Sequence, residues 1–206
     1  MTLPKVKVTL GDVCELVCQQ VDPRARPKAA YLGLEHLATG RLLPIATGSA
    51  SDVTSQKTAY EAGDVLVSKL RPYLDKAVLA TEPGVCSTEL LPLRPKEGID
   101  SRFLACVVHR PDFVEHAMTG VTGSQHPRTS WAHLSRFVLH PMPIEDQRTV
   151  ATLLWRIHEL IVVVEATLRS AESLKEAAAS NIFARGLRRE PDETSGVSQK
   201  RVTWDV

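Results

Sequence analysis

A chain of 206 residues with 43% apolar side chains has material for one domain of ordinary size plus an extension, or for two small domains. Its formal charge of only +1 excludes a whole-molecule basic field, so any hold on nucleic acid must come from a local patch. Cys14, Cys18, Cys86 and Cys106 form no CxxC pair and no dense framework, which favours free core thiols in a reducing cytosol. Cys14 and Cys18 have the spacing to share a helical face, but no second pair of metal ligands lies near them. The apolar run Leu160–Val164 is far short of a membrane span. The opening MTLPKVKVTLGDV lacks the charged-then-apolar order of a signal peptide, so a soluble cytoplasmic protein is expected.

In chain order, the alternation from Lys5 to Val13 predicts a strand, and Val13–Val17 a helical turn or two. DPRARPK (22–28) reads as loop. Ala30–Leu37 fits a buried strand or a short helix, with strand preferred, and Thr39–Ser55 reads as turns. Gly63-Asp64 turns the chain into a buried strand at Val65–Val67; Ser68–Asp75 interrupts the apolar run and Ala77–Ala80 resumes it. Glu82-Pro83-Gly84 is a turn, and Cys86–Leu93 a further strand. Ser101–Val108 predicts a helix with Ser101 as candidate cap and Phe103, Leu104 and Val107 on one face. Pro111 breaks it, Phe113–Met118 adds a helical turn, Val121–Ser130 is a polar loop, and Phe137–His140 is a last short strand.

Ile144–Phe183 then runs for forty residues without Pro or Gly, behind Pro141 and Pro143 and with Glu145 and Asp146 in its first turn. Val150, Ile157, Val164, Ala171 and Ala178 recur every seven residues. Leu154, Ile161, Leu168 and Ile182 form a second line, and Leu153, Leu160 and Leu174 widen the stripe. At 1.5 Å per residue this is a rod of roughly 60 Å. A small domain cannot cover such a stripe alone, so a partner helix is expected. After Phe183 the composition turns polar and aperiodic. The expected division is a globular domain over 1–143, the long helix over 144–183 and a polar tail over 184–206.

Nothing announces catalysis. The chain has no GxxxxGK[ST], GxGxxG, GxSxG or HExxH motif. It also has no Asn/Asp-Pro-Pro-aromatic tetrapeptide of the kind with which amino-methylating enzymes hold a flipped base. The seven histidines are scattered and read as solvated or core residues; His109 and His116 have the spacing to share a helical face. Two polar clusters remain. Ser68, Lys69, Arg71, Tyr73 and Lys76 adjoin a buried strand, while Thr122, Ser124, Gln125, His126, Arg128 and Thr129 share a loop that has a glycine. These side-chain types contact phosphates and read base edges, Arg favouring guanine and Gln adenine. They equally suit a solvated strand end and an ordinary surface loop.

GDVLVSKLRPYLDKAVLA (63–80) followed by GVCSTELLPLRP (84–95) resembles the core of a target recognition domain. So does TGSQHPRTSWAHLSRFVLHPMPIEDQRTVATLL (122–154), where Pro-x-Pro leads into Glu-Asp-Gln-Arg and a long helix. Both blocks are similar to the DNA specificity subunits of type I restriction-modification systems, and the resemblance runs from about Val8 to Arg189. It implies an α+β fold: one globular α/β target recognition domain with a twisted mixed sheet, then one long α-helix that pairs as an antiparallel coiled coil. It also implies a subunit without catalytic activity that reads double-stranded DNA in the major groove and docks methyltransferase subunits. Those subunits would methylate adenine with S-adenosylmethionine that they bind themselves, so no cofactor or metal is expected on this chain. A restriction and motor subunit can join that complex.

Family members commonly carry two recognition domains and two helices. Here there is one of each, and Trp204-Asp205-Val206 stands where a second copy would start. A half-subunit, or the first half of a longer protein, is therefore expected. A half-subunit would form a homodimer through Val150, Leu154, Ile157, Ile161, Val164 and Leu168, and the two-fold dimer would read a symmetric, interrupted site. The resemblance implies backbone contacts for Lys69, Arg71, Tyr73 and Lys76, and base-edge or phosphate contacts for Ser124, Gln125, His126 and Arg128. An ion pair of Arg71 with Asp64 or Asp75 is the alternative role for that side chain. The alternative function is a coiled-coil interaction module that binds no DNA.

Overall fold

The computed structural model describes residues 7–185. The expected tail beyond Arg185, Trp204-Asp205-Val206 within it, and Lys5 and Val6 of the expected first strand lie outside the described residues.

The chain opens with β1 (Val8–Thr9), a single helical turn α1 (Leu10–Val13), β2 (Cys14–Leu16) and β3 (Gln20–Val21). The expected order of strand and turn is thus exchanged at 10–16. Leu10 is fully buried, and the Thr9 N–H and hydroxyl both donate to Asp12, which closes α1 where alternation alone suggested extended chain. Next come β4 (Ala30–Leu32), β5 (Gly48–Ser49), β6 (Lys57–Tyr60), β7 (Val65–Ser68) and β8 (Ala77–Leu79). Ala30–Leu37 holds both readings in turn, because a 3-10 turn at Leu34–His36 follows β4. Cys86–Leu93 is not one strand but parts of two: β9 (Gly84–Cys86) and β10 (Leu90–Pro95) join different sheets, and Ser87–Glu89 turns between them.

The helices α2 (Ser101–Val107), α3 (Pro111–Thr119) and α4 (Trp131–Leu134) follow, then β11 (Val138–Leu139) and α5 (Ile144–Arg185). The cap of α2 is Asp100 rather than Ser101: its carboxylate accepts the Phe103 N–H at 3.0 Å. Pro111 opens α3 as well as ending the previous helix, as a proline at the first helical position can. His109 lies between α2 and α3 and His116 within α3, so the two share no helical face.

The recognition domain expected from the sequence spreads its strands over three sheets. β1 pairs with β11, β2-β10-β7-β8 form an antiparallel sheet, and β3-β6-β9-β4-β5 form a mixed one in which only β4 and β9 run parallel. The central strand β7 explains the layering. Val65 and Val67 face a core shared with α2, α3, α4 and the start of α5, through Leu104, Phe113, Leu134 and Trp155. Leu66 faces the other way, with Val78 and Leu90, onto Leu32, Tyr60 and Cys86 of the mixed sheet. A strand covered on both faces needs a continuous apolar run, and VLV supplies it.

One compact unit of the chain ends at Leu160 and the next begins at Ile161. Within the first, α5 packs on the core through a face absent from the heptad lines. Gln147, Ala151 and Trp155 are buried there at a spacing of four. Gln147 is 3% exposed; its carboxamide accepts the Asp100 N–H at 3.0 Å and donates to the Met142 and Gly98 carbonyls at 2.8 and 3.2 Å. Trp155 Nε1 donates to the Arg102 carbonyl at 3.1 Å, and the Arg102 guanidinium lies 4.8 Å from its ring. The Gln of Glu-Asp-Gln-Arg is thus the clip that fixes the start of α5.

Candidate nucleic-acid interface

β7 ends at Ser68, whose hydroxyl donates to the Leu70 carbonyl at 2.8 Å. Arg71 then adopts a left-handed conformation (φ 49°) ahead of Pro72, and Asp75 (φ 46°) repeats it at the far end of the Pro72–Leu74 turn. Non-glycine residues enter this region at a cost, so the turn is over-determined by its surroundings. The His109 ring bridges the Asp75 carboxylate at 2.7 Å and the Ala77 carbonyl at 3.0 Å, and the Gly40 N–H donates to the Asp75 carbonyl. The turn therefore presents Arg71 and Tyr73 outward, with Tyr73 51% exposed.

Asp64 and Asp75 are both engaged elsewhere, by Arg94 and His109, and the Arg71 side chain makes no ion pair among the described residues. Its alternative role as a structural partner of either carboxylate is thereby removed. Lys69 is half-buried. Lys76 is half-buried as well, with its ammonium donating to the Leu34 carbonyl at 2.9 Å, so it is tethered toward the 3-10 turn after β4.

The second cluster closes on itself. Thr122 and Arg128 exchange two backbone hydrogen bonds of 2.9 and 3.0 Å, which leaves Gly123–Pro127 as a tip. Gly123 (φ 86°) sits where a side chain would be strained. Ser124, Gln125 and His126 are exposed on that tip.

The two clusters, more than forty residues apart in sequence, meet. The Arg71 N–H donates to the Pro127 carbonyl at 2.7 Å, and the Thr129 N–H donates to the Lys69 carbonyl at 3.0 Å. Lys69, Arg71, Tyr73, Ser124, Gln125 and His126 thus lie on two loops fastened by their backbones. Arg128 behaves differently from its neighbours. Its Nε and Nη2 grip the Glu89 carboxylate at 3.0–3.2 Å, and this partner holds the guanidinium above its ordinary value. Glu89 was hidden inside what read as one apolar strand; a charged residue after Ser-Thr in that run is the signal that marks its turn.

The helix residues are placed as follows. Val150 is half-buried, while Leu154, Ile157, Ile161, Val164 and Leu168 are exposed, as are Leu153, Leu160 and Leu174. Val164 is 64% exposed, which is unusual for a valine in a regular helix. Among the described residues there is no cluster of three or more His, Cys, Asp or Glu able to hold a metal, and no helix long and apolar enough to cross a membrane.

No protein-family model matches the chain. It is 24% identical over 180 residues to the type I restriction enzyme EcoDI specificity subunit of Escherichia coli, an overlap of 86% of this chain and 40% of that protein. Its fold is similar to the HsdS subunit of Thermoanaerobacter tengcongensis, with a TM-score of 0.65 and 21% identity over 93% of this chain and 53% of the other. A structure described as the basis of complex assembly and conformational transition of the type I R-M system matches with a TM-score of 0.67, 21% identity and the same coverage. The chain spans about half the length of these proteins. The resemblance to type I restriction-modification specificity subunits, first read from two sequence blocks, therefore holds in sequence and in fold along most of the chain.

Proposed function

We propose that the chain is a DNA sequence-specificity subunit of a type I restriction-modification complex, reading one half of a bipartite site. The observation that carries this reading is the fastening of the 69–73 turn to the 122–128 loop, which gathers cationic, phenolic and amide side chains on one exposed edge. Lys69, Arg71 and Tyr73 would hold phosphates, with Lys76 behind them, while Ser124, Gln125 and His126 would face base edges. The chain itself would be non-catalytic. Adenine methylation would belong to docked methyltransferase subunits carrying S-adenosylmethionine, with a restriction and motor subunit as a further partner, all in the cytoplasm where the DNA lies. The exposed apolar stripe of α5 supports a homodimer through an antiparallel coiled coil, which would set the spacing of two half-sites.

The test is selection from a random-sequence duplex library by the full chain with its methyltransferase subunit at moderate salt. Enrichment of one interrupted motif, with affinity falling steeply as salt rises, is expected. Enrichment of nothing above background would leave the second reading, an interaction module without DNA binding, which the stripe of α5 favours on its own. Replacing Lys69 and Arg71 with Ala separates the two: assembly survives under both, but only the first loses DNA.

A further inference from the structure

We infer that Glu89 and Arg128 form a latch that sets the shape of the reading loop, so that Arg128 is a positioning residue and sequence preference falls to Ser124, Gln125 and His126. This rests on the proposed DNA-reading role of the loop.

The geometry carries it. The Arg128 guanidinium is already committed before any DNA arrives: Nε lies 3.0 and 3.2 Å from the two Glu89 oxygens, Nη2 lies 3.0 Å from one of them, and Nη1 donates to the His126 carbonyl at 3.3 Å. One side chain thus ties the tip of its own loop to the turn between β9 and β10. The backbone runs parallel to that tie. Lys69 donates its N–H to the Glu89 carbonyl and accepts the Thr129 N–H, so the three segments are laced at a single residue. A fork-shaped bidentate pair fixes direction as well as distance, which a lysine in the same place would not. An arginine that grips guanine needs the same fork, and here the fork is filled. Glu89 contributes a second effect. A carboxylate beside a DNA-facing loop repels phosphate, so an unselective binder would do better without it; its presence suits a device that trades general affinity for loop definition.

The experiment uses the full chain and two readouts. The first is amide hydrogen exchange of the free protein at Thr122, Arg128 and Thr129. Both Glu89→Ala and Arg128→Ala should speed exchange there by about tenfold or more, the double variant no further, and the exchanged pair E89R with R128E should restore protection. The second is selection from a random-sequence duplex library: each single variant should lose about tenfold in enrichment of the wild-type motif, with the slope of affinity against salt unchanged. Glu89→Gln, which keeps shape and one acceptor, guards against a variant that fails to fold and should fall between. Unchanged exchange in Glu89→Ala overturns the latch whatever the DNA result. A variant that keeps the motif, binds every duplex more tightly and gains about one unit of salt slope also overturns it, since Arg128 would then be a phosphate contact held in check. If the wild type enriches no motif while Glu89→Ala still frees the loop, the DNA-reading role fails and the latch stands.

Discussion

Arg94 holds Asp64 through two hydrogen bonds of 2.8 Å, Nε to one carboxylate oxygen and Nη2 to the other, across the paired ends of β10 and β7. The Asp64 side chain is 2% exposed and that of Arg94 41%, so removing either partner is not equivalent. Without Asp64 the guanidinium rehydrates; without Arg94 a carboxylate is stranded in the core, with the Glu61 N–H as its remaining donor among the described residues. Arg94→Ala should therefore destabilise by about 3–5 kcal/mol, as a broken buried pair does, and Asp64→Ala by visibly less. Urea unfolding of both variants checks this; equal losses, or the reverse order, would contradict the asymmetry.

Trp155 and Gln147 anchor α5 by different means, one by burying a large ring and one by satisfying three backbone groups. Trp155→Ala should cost about 3–5 kcal/mol in unfolding free energy, as for other buried aromatics. Gln147→Leu keeps volume but strands the Asp100 N–H and the Met142 and Gly98 carbonyls, and should cost about 1–3 kcal/mol for the unpaired polar groups. Loss of protection at the Asp100 amide in hydrogen exchange would tie the second effect to its cause.

The exposed stripe behaves oppositely. Ile157 and Val164 contribute little to the chain's own core, so Ile157→Asp with Val164→Asp should leave thermal unfolding of the globular part within about 0.5 kcal/mol of the parent, as surface changes do. Under the proposed pairing through α5, sedimentation should nevertheless find dimers of the parent and monomers of the variant. A dimer that persists would place the interface elsewhere.

How much of this was legible in the sequence depended on whether the signal was local. α5 was readable to within two residues of its end because a forty-residue run without Pro or Gly admits no other reading, and β7 because VLV must be covered on both faces. Which side of α5 meets the core was not readable. The heptad lines are the longest apolar pattern, whereas the docking face is marked only by Gln147, Ala151 and Trp155, one of them polar. β6 was missed because its burial, Lys57 included, comes from packing between sheets and not from its own composition. Both polar clusters were found by residue type. Their contact was not, since Arg71–Pro127 and Lys69–Thr129 meet through backbone atoms that leave no trace in side-chain identity.

Burial pushes the thiols of Cys14 and Cys86 up to about 12 and that of Cys106 up to about 11. A raised value means the folded state keeps its proton after the unfolded chain has lost it. Stability from these groups is therefore whole below the ordinary thiol value near 9 and drains as pH rises toward 12, by at most about 1.4 kcal/mol per pH unit for each thiol. Urea midpoints should fall over that window, less steeply in Cys86→Ala. Under native conditions a thiol reagent should modify Cys18, which is exposed, well before the other three.

Arg71 combines a strained backbone with a guanidinium that has no ion pair among the described residues, and one substitution pulls the two apart. Glycine accepts φ 49° without a Cβ clash, so Arg71→Gly relieves strain while making the unfolded chain more flexible; the two effects oppose each other within about 1 kcal/mol. Its N–H still reaches the Pro127 carbonyl, so the turn stays fastened to the reading loop. If Arg71 holds a phosphate, affinity should drop for all duplexes alike and the salt slope should shrink by about 0.9, with the selected motif unchanged. Arg71→Ala should lose the same contact with stability near that of the parent, because alanine bears the left-handed backbone just as arginine does. A motif that changes in Arg71→Gly would instead assign this side chain to a base edge.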